Sequence, residues 1–170
     1  MAGLTDELLS VLNEEEKLYE ELLPYAEQKS AVIVENNIKK LEEITEFEQL
    51  STEKLKKLEK QREEIMKNIR IVLNIKTPEF KLEDLINKLD RQPEVQKNLR
   101  EVKARLKTTI STLEDYNFRN GKLLKSSLEI AEYGLNVIRS TKSYIGNNYT
   151  RRAGQFDAQI MQPGTFDAKQ

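Results

Sequence analysis

Between residues 4 and 32, the positions 4, 8, 11, 15, 18, 22, 25, 29 and 32 are separated alternately by four and three residues. Seven of these nine are apolar: Leu4, Leu8, Val11, Leu18, Leu22, Tyr25 and Val32. A residue recurring every 3.5 positions stays on one side of an α-helix and on no constant face of a strand, so the spacing predicts one amphipathic helix packed along this seam. Pro24 lies inside it. Proline has no backbone N–H and its ring crowds the carbonyl one turn earlier, so a kink or brief interruption is expected there.

The same periodicity organises the rest of the chain. Glu35-Asn36-Asn37 reads as a turn, because Asn tolerates the left-handed conformation that ends a helix and also caps the next one. A second helix is expected over about residues 38 to 73, with a seam at Leu55, Leu58, Arg62, Ile65, Ile69 and Val72. At 1.5 Å per residue it is roughly 50 Å long and should pair antiparallel with the first. Thr77-Pro78-Glu79 is a helix-start signal, opening a short helix with Leu82, Leu85, Ile86 and Leu89 on its apolar face. Pro93-Glu94 opens a long helix through Val95, Leu99, Val102, Leu106, Ile110 and Leu113. Past a polar patch it continues with Leu124, Leu128, Ala131, Leu135 and Ile138, to about Lys142. The expected fold is all-α: a long antiparallel helical hairpin, a short helix and a long C-terminal helix in a coiled-coil-like bundle, followed by a flexible tail. Residues 1–142 form the bundle domain and 143–170 the tail.

Composition narrows the function classes. Of 170 residues, 34% are charged and only ten are Gly or Pro, a profile of surface-rich helices without a thick core. There is no Cys and no His, which excludes disulfides, cysteine-based metal sites, thiol or serine-histidine nucleophiles and imidazole acid-base chemistry. Asp, Glu and Lys sit on helical patterns and read as solvated faces, so no catalytic residue, metal ligand or cofactor site is assigned, and the chain reads as a binding protein rather than an enzyme. Net charge is −1 but uneven: residues 1 to 50 carry 4 basic and 13 acidic side chains, and the remainder 24 and 16. An acidic first arm against basic later helices explains this. A basic RNA-binding face is the alternative, without the aromatic-and-basic pattern that RNA-binding sheets carry. The N-terminus lacks a basic and an apolar signal region and no apolar run suits a membrane span, so a cytoplasmic location is expected.

After residue 142 the periodicity stops. The last 28 residues contain Gly146, Gly154, Gly164 and Pro163, with four of the eleven aromatic residues: Tyr144, Tyr149, Phe156 and Phe166. Tails that stay disordered for lack of hydrophobicity are aromatic-poor, so this one is expected to dock conditionally on itself or on a partner. Gly154-Gln155-Phe156-Asp157-Ala158 recurs ten residues on as Gly164-Thr165-Phe166-Asp167-Ala168.

Mid-helix, Asn117-Phe118-Arg119-Asn120-Gly121-Lys122-Leu123-Leu124 places two poor helix formers, Asn120 and Gly121, side by side. Gly costs about 1 kcal/mol relative to Ala in a helix, so a reason is needed: close approach of a neighbouring helix, or a hinge or partner contact. This stretch, through Asn117, Asn120, Gly121, Leu123 and Leu124, resembles one found in FlgN-type flagellar export chaperones. Tyr149-Thr150-Arg151-Arg152-Ala153-Gly154-Gln155 and Phe166-Asp167-Ala168-Lys169 are similar to segments of that family's tail. The resemblance implies an all-helical chaperone without ATP or metal. Such a chaperone binds the C-terminal segments of the two flagellar hook-filament junction proteins in the bacterial cytoplasm, prevents premature assembly and hands them to the flagellar export apparatus.

Client segments of that kind are amphipathic helices, so a helix-in-groove mode is expected. The candidate client-binding residues are Leu124, Leu128, Ala131, Leu135 and Ile138, on a stripe that the first two helices are too short to cover; packing inside a bundle or homodimer is the alternative. Tyr144, Tyr149, Phe156 and Phe166 are candidate tail contacts to client, groove or export gate. A coiled-coil scaffold or tether without a client, as monomer or homodimer, is the competing function.

Overall fold

The computed structural model describes the backbone of residues 2–77 and 79–149, with side chains for 3–77 and 79–141. Among these residues there are four helices and no strand: α1 (Ala2–Val34), α2 (Ile38–Val72), α3 (Leu82–Lys88) and α4 (Pro93–Tyr149). The all-α class is thus as the periodicity implied. The chain divides into two compact units, Met1–Leu128 and Glu129–Gln170.

In the first unit, α1 ends where the sequence places its turn. Asn36 adopts φ 52°, and the bonds from Asn37 N to Val32 O and from Asn36 N to Ile33 O close a Schellman-type cap. Asn37 then caps α2, its Oδ1 accepting from Lys40 N at 3.2 Å. Asn74, at φ 53°, ends α2 in the same way, with Ile75 N bonded to Arg70 O. α1 runs through Pro24 as one helix, so the brief interruption does not occur. The start of α3 also differs from expectation. Thr77 and Glu79 stay outside the helix, which begins at Leu82 after Lys81, whose backbone N–H is held by Asp84 Oδ2 at 2.9 Å. A carboxylate reaching back over one turn satisfies an orphan backbone donor at the helix start.

α1 and α2 are antiparallel: Lys29 pairs with Glu48 at 2.6 Å and Glu15 with Arg62 at 3.0 Å, and Tyr25 stacks on Phe47 with centroids 4.0 Å apart. α4 runs parallel to α1. Its Arg105 meets Glu16 at 2.5 Å and its Asn120 meets Ser30 at 2.6 Å, sequence offsets of 89 and 90. α1 is therefore flanked by α2 and α4. All four helices meet where α1 begins, α2 ends and α4 begins, around fully buried Leu8, Ile69, Leu85, Ile86, Leu99 and Val102. α3 plugs this end, its Ile86 carbonyl accepting from Gln96 Nε2 at 2.7 Å.

Two acidic residues expected on solvated faces are buried. Glu15 and Glu16 are each 7% exposed. Glu15, one of the two polar members of the α1 seam beside Lys29, faces Arg62, the polar member of the α2 seam, across the hairpin. Burial raises the Glu15 carboxyl above the usual carboxylate range even though Arg62 pulls it down. The bidentate Glu16 contact raises Arg105 further above its ordinary range.

Candidate functional site

The stretch 117–124 sits on α4 against the second half of α1. Asn120 is 2% exposed, its Nδ2 donates to the Ala26 carbonyl at 2.7 Å, and its Oδ1 accepts from Ser30 Oγ at 2.6 Å. Both ends of one amide are thus tied to residues one turn apart on α1, which fixes how far α4 is slid along it. Among the described residues, no buried side-chain nitrogen or oxygen is left without a partner. Asn117 is exposed and lies at the end of a groove between α2 and α4. Gly121 departs from the close-packing expectation: a Cβ built there meets no heavy atom within 4 Å, so no neighbouring helix requires its missing side chain. The helix continues through Asn120-Gly121.

With offsets of 89 and 90, the last residue of α1, Val34, is level with residues 123 and 124 of α4. Leu123 and Leu124 are half-buried. From there on the apolar side chains are open: Leu128 is 64% exposed, Leu135 52% and Ile138 54%, and Ala131 is exposed as well. Three further residues, Ile130, Tyr133 and Val137, are exposed and were not anticipated. At 100° per residue they form a second stripe, roughly opposite the first. The signal was present in sequence as a density of seven apolar residues in the eleven from Leu128 to Ile138, which a search for one stripe overlooks. Phe118, 64% exposed, is another apolar residue within the motif that the reading did not assign, and Lys122 Nζ lies 4.2 Å from its ring.

The side chains of Tyr144 and Tyr149, and all of Phe156 and Phe166, lie outside the described residues, as do both Gly-x-Phe-Asp-Ala segments. No described helix is long and apolar enough to cross a membrane.

These features define a class: an all-helical protein with a short, fully satisfied core and a helix whose apolar side chains are left uncovered for about three turns. The chain belongs to the FlgN family, described as FlgN protein, which matches residues 1–155. Its general role is that of a flagellar export chaperone, and the family is one of chaperones rather than of enzymes. Comparison with curated proteins and with solved structures returns no match.

Proposed function

We propose that this chaperone acts in the cytoplasm on the C-terminal segments of the flagellar hook-filament junction proteins, covering their apolar stripe until they reach the export apparatus. The client-binding surface is Leu124, Leu128, Ala131, Leu135 and Ile138, extended by Ile130, Tyr133 and Val137 on the opposite face.

The observation that carries this reading is the exposure of these side chains on a continuous helix. Apolar residues on both faces of a helix are characteristic of buried helices, so water is an unfavourable neighbour here and a client helix a favourable one. Covering a half-exposed Leu or Ile is worth on the order of 1 kcal/mol, so four such contacts support binding that remains reversible. Tyr144, Tyr149, Phe156 and Phe166 would add contacts that order only with the client in place. That ordering costs on the order of 2 to 5 kcal/mol and keeps release feasible. No cofactor takes part.

The test replaces Leu128 and Leu135 by Asp. Both are exposed, so helicity and unfolding temperature should hold while affinity for a labelled junction-protein C-terminal peptide falls at least about tenfold. Unchanged affinity would move the site elsewhere. A scaffold without a client would instead show a stable oligomer that the two substitutions dissociate.

A further inference from the structure

At the four-helix end of the bundle, α2 presents Arg62, Glu63, Met66, Lys67 and Arg70 on one face, since these residues are spaced by three, four and eight. Together with Phe80 and Lys81 before α3, Leu82 at its start, and Leu8 beneath, they line an open recess of about 470 Å³. Its floor is apolar: Leu8 is fully buried, and Met66, Phe80 and Leu82 are half-buried. Its rim has four cationic side chains and one carboxylate. Arg62 already pairs with Glu15 and with Glu59, whereas Lys67 and Lys81 are exposed. Of the acidic residues of α3, Glu83 pairs with Lys103 of α4, while Asp84 caps the Lys81 backbone and stands beside the rim. Arg70 is engaged as well, so the positive excess of the rim rests on exposed Lys67 and Lys81 against Glu63.

A recess with an apolar floor accommodates a bulky apolar side chain, and a cationic rim favours carboxylates on either side of it. We propose that this recess is a second docking site, for an acidic peptide segment carrying one aromatic or large aliphatic anchor. A nucleic acid would satisfy the rim and leave the floor empty, and an anionic membrane would offer the rim a plane rather than an anchor. The site lies on α2 and the approach to α3, uses none of the α4 residues assigned to the client, and stands whether or not that assignment does.

Fluorescence polarisation on the full chain tests it with three labelled pentapeptides: Glu-Glu-Phe-Glu-Glu, Glu-Glu-Ser-Glu-Glu and Lys-Lys-Phe-Lys-Lys. The acidic phenylalanine peptide should bind saturably, the serine peptide at least about fivefold more weakly, and the basic peptide not at all. Binding should weaken as salt is raised from about 50 to 300 mM. Lys67→Glu with Lys81→Glu, both exposed, should reduce affinity about tenfold or more while leaving the circular-dichroism spectrum unchanged. Absence of saturable binding below about 1 mM would overturn the proposal. Equal binding of the phenylalanine and serine peptides, or affinity indifferent to the double substitution, would do the same. Capture by phosphatidylserine vesicles with no peptide bound would assign the cations to a membrane instead.

Discussion

Replacing Asn120 by Ala removes two hydrogen bonds that tie α4 to α1: Nδ2 to the Ala26 carbonyl at 2.7 Å, and Ser30 Oγ to Oδ1 at 2.6 Å. Each such bond contributes about 0.5–1.5 kcal/mol net, and the freed Ser30 hydroxyl can turn back to a carbonyl of its own helix, which recovers part of the loss. The expected cost is about 2 kcal/mol, or about 4–8 °C in unfolding temperature for a chain of this length. Urea and thermal unfolding followed at 222 nm read it directly. A cycle with Ser30→Ala isolates the pair, with an expected coupling of about 0.5–1.5 kcal/mol. Asn117→Ala, at an exposed position a turn away, should stay within about 0.5 kcal/mol. The reasoning is refuted if Asn120→Ala costs under about 0.5 kcal/mol and shows no coupling to Ser30. The slide of α4 along α1 decides which of its apolar residues α1 covers, and so bears on the proposed client surface.

Gly121→Ala should stabilise the chain by about 0.5–1 kcal/mol, since the added methyl meets nothing within 4 Å and helix propensity improves; a destabilised variant would reveal a close approach. Leu85→Ala should cost about 3 kcal/mol, because Leu85 is fully buried where α3 plugs the core; calorimetry showing less than about 1 kcal/mol would mean that α3 is dispensable there. Glu15→Gln carries a pH signature. Burial raises the Glu15 pKa in the folded state, so the folded chain holds that proton more tightly than the unfolded chain. Glu15 is therefore neutral in effect below the unfolded pKa and destabilising once the pH exceeds the folded one. The stability of the Gln variant relative to the native chain should rise as the pH climbs from the ordinary glutamate pKa through the raised folded-state one. Denaturant midpoints falling in the opposite order would show that Arg62 outweighs burial.

Helices α1, α2 and α4 were legible because seams of threes and fours sustained over many turns have no strand equivalent, and because Asn36-Asn37 and Pro93 act through local backbone chemistry. The α3 boundary was not, since Thr77-Pro78-Glu79 and Lys81 with Asp84 are both plausible starts and only tertiary packing of Leu85 and Ile86 chooses between them. Glu15 and Glu16 were read with the solvated charges because an acidic helix face looks the same whether it meets water or an arginine on another helix. Asn120 and Gly121 were recognised as a pair needing a reason. Yet the reason belongs to Asn120 alone, and its partners Ala26 and Ser30 lie ninety or more residues away. The stripe at Leu128, Ala131, Leu135 and Ile138 was readable from its period, but the period is the same whether a partner helix covers it or not, so its exposure was not; Ile130, Tyr133 and Val137 fell between its teeth.

The most direct measurement is isothermal titration of the full chain, and of a version ending at Ser143, with C-terminal peptides of the same organism's hook-filament junction proteins and a flagellin C-terminal peptide as control. The account expects a dissociation constant of about 10 μM or tighter for a junction peptide, none for flagellin, and weaker binding on truncation. Heat-silent titrations of both the full and the shortened chain with every junction peptide would contradict it and leave the exposed helix without its client.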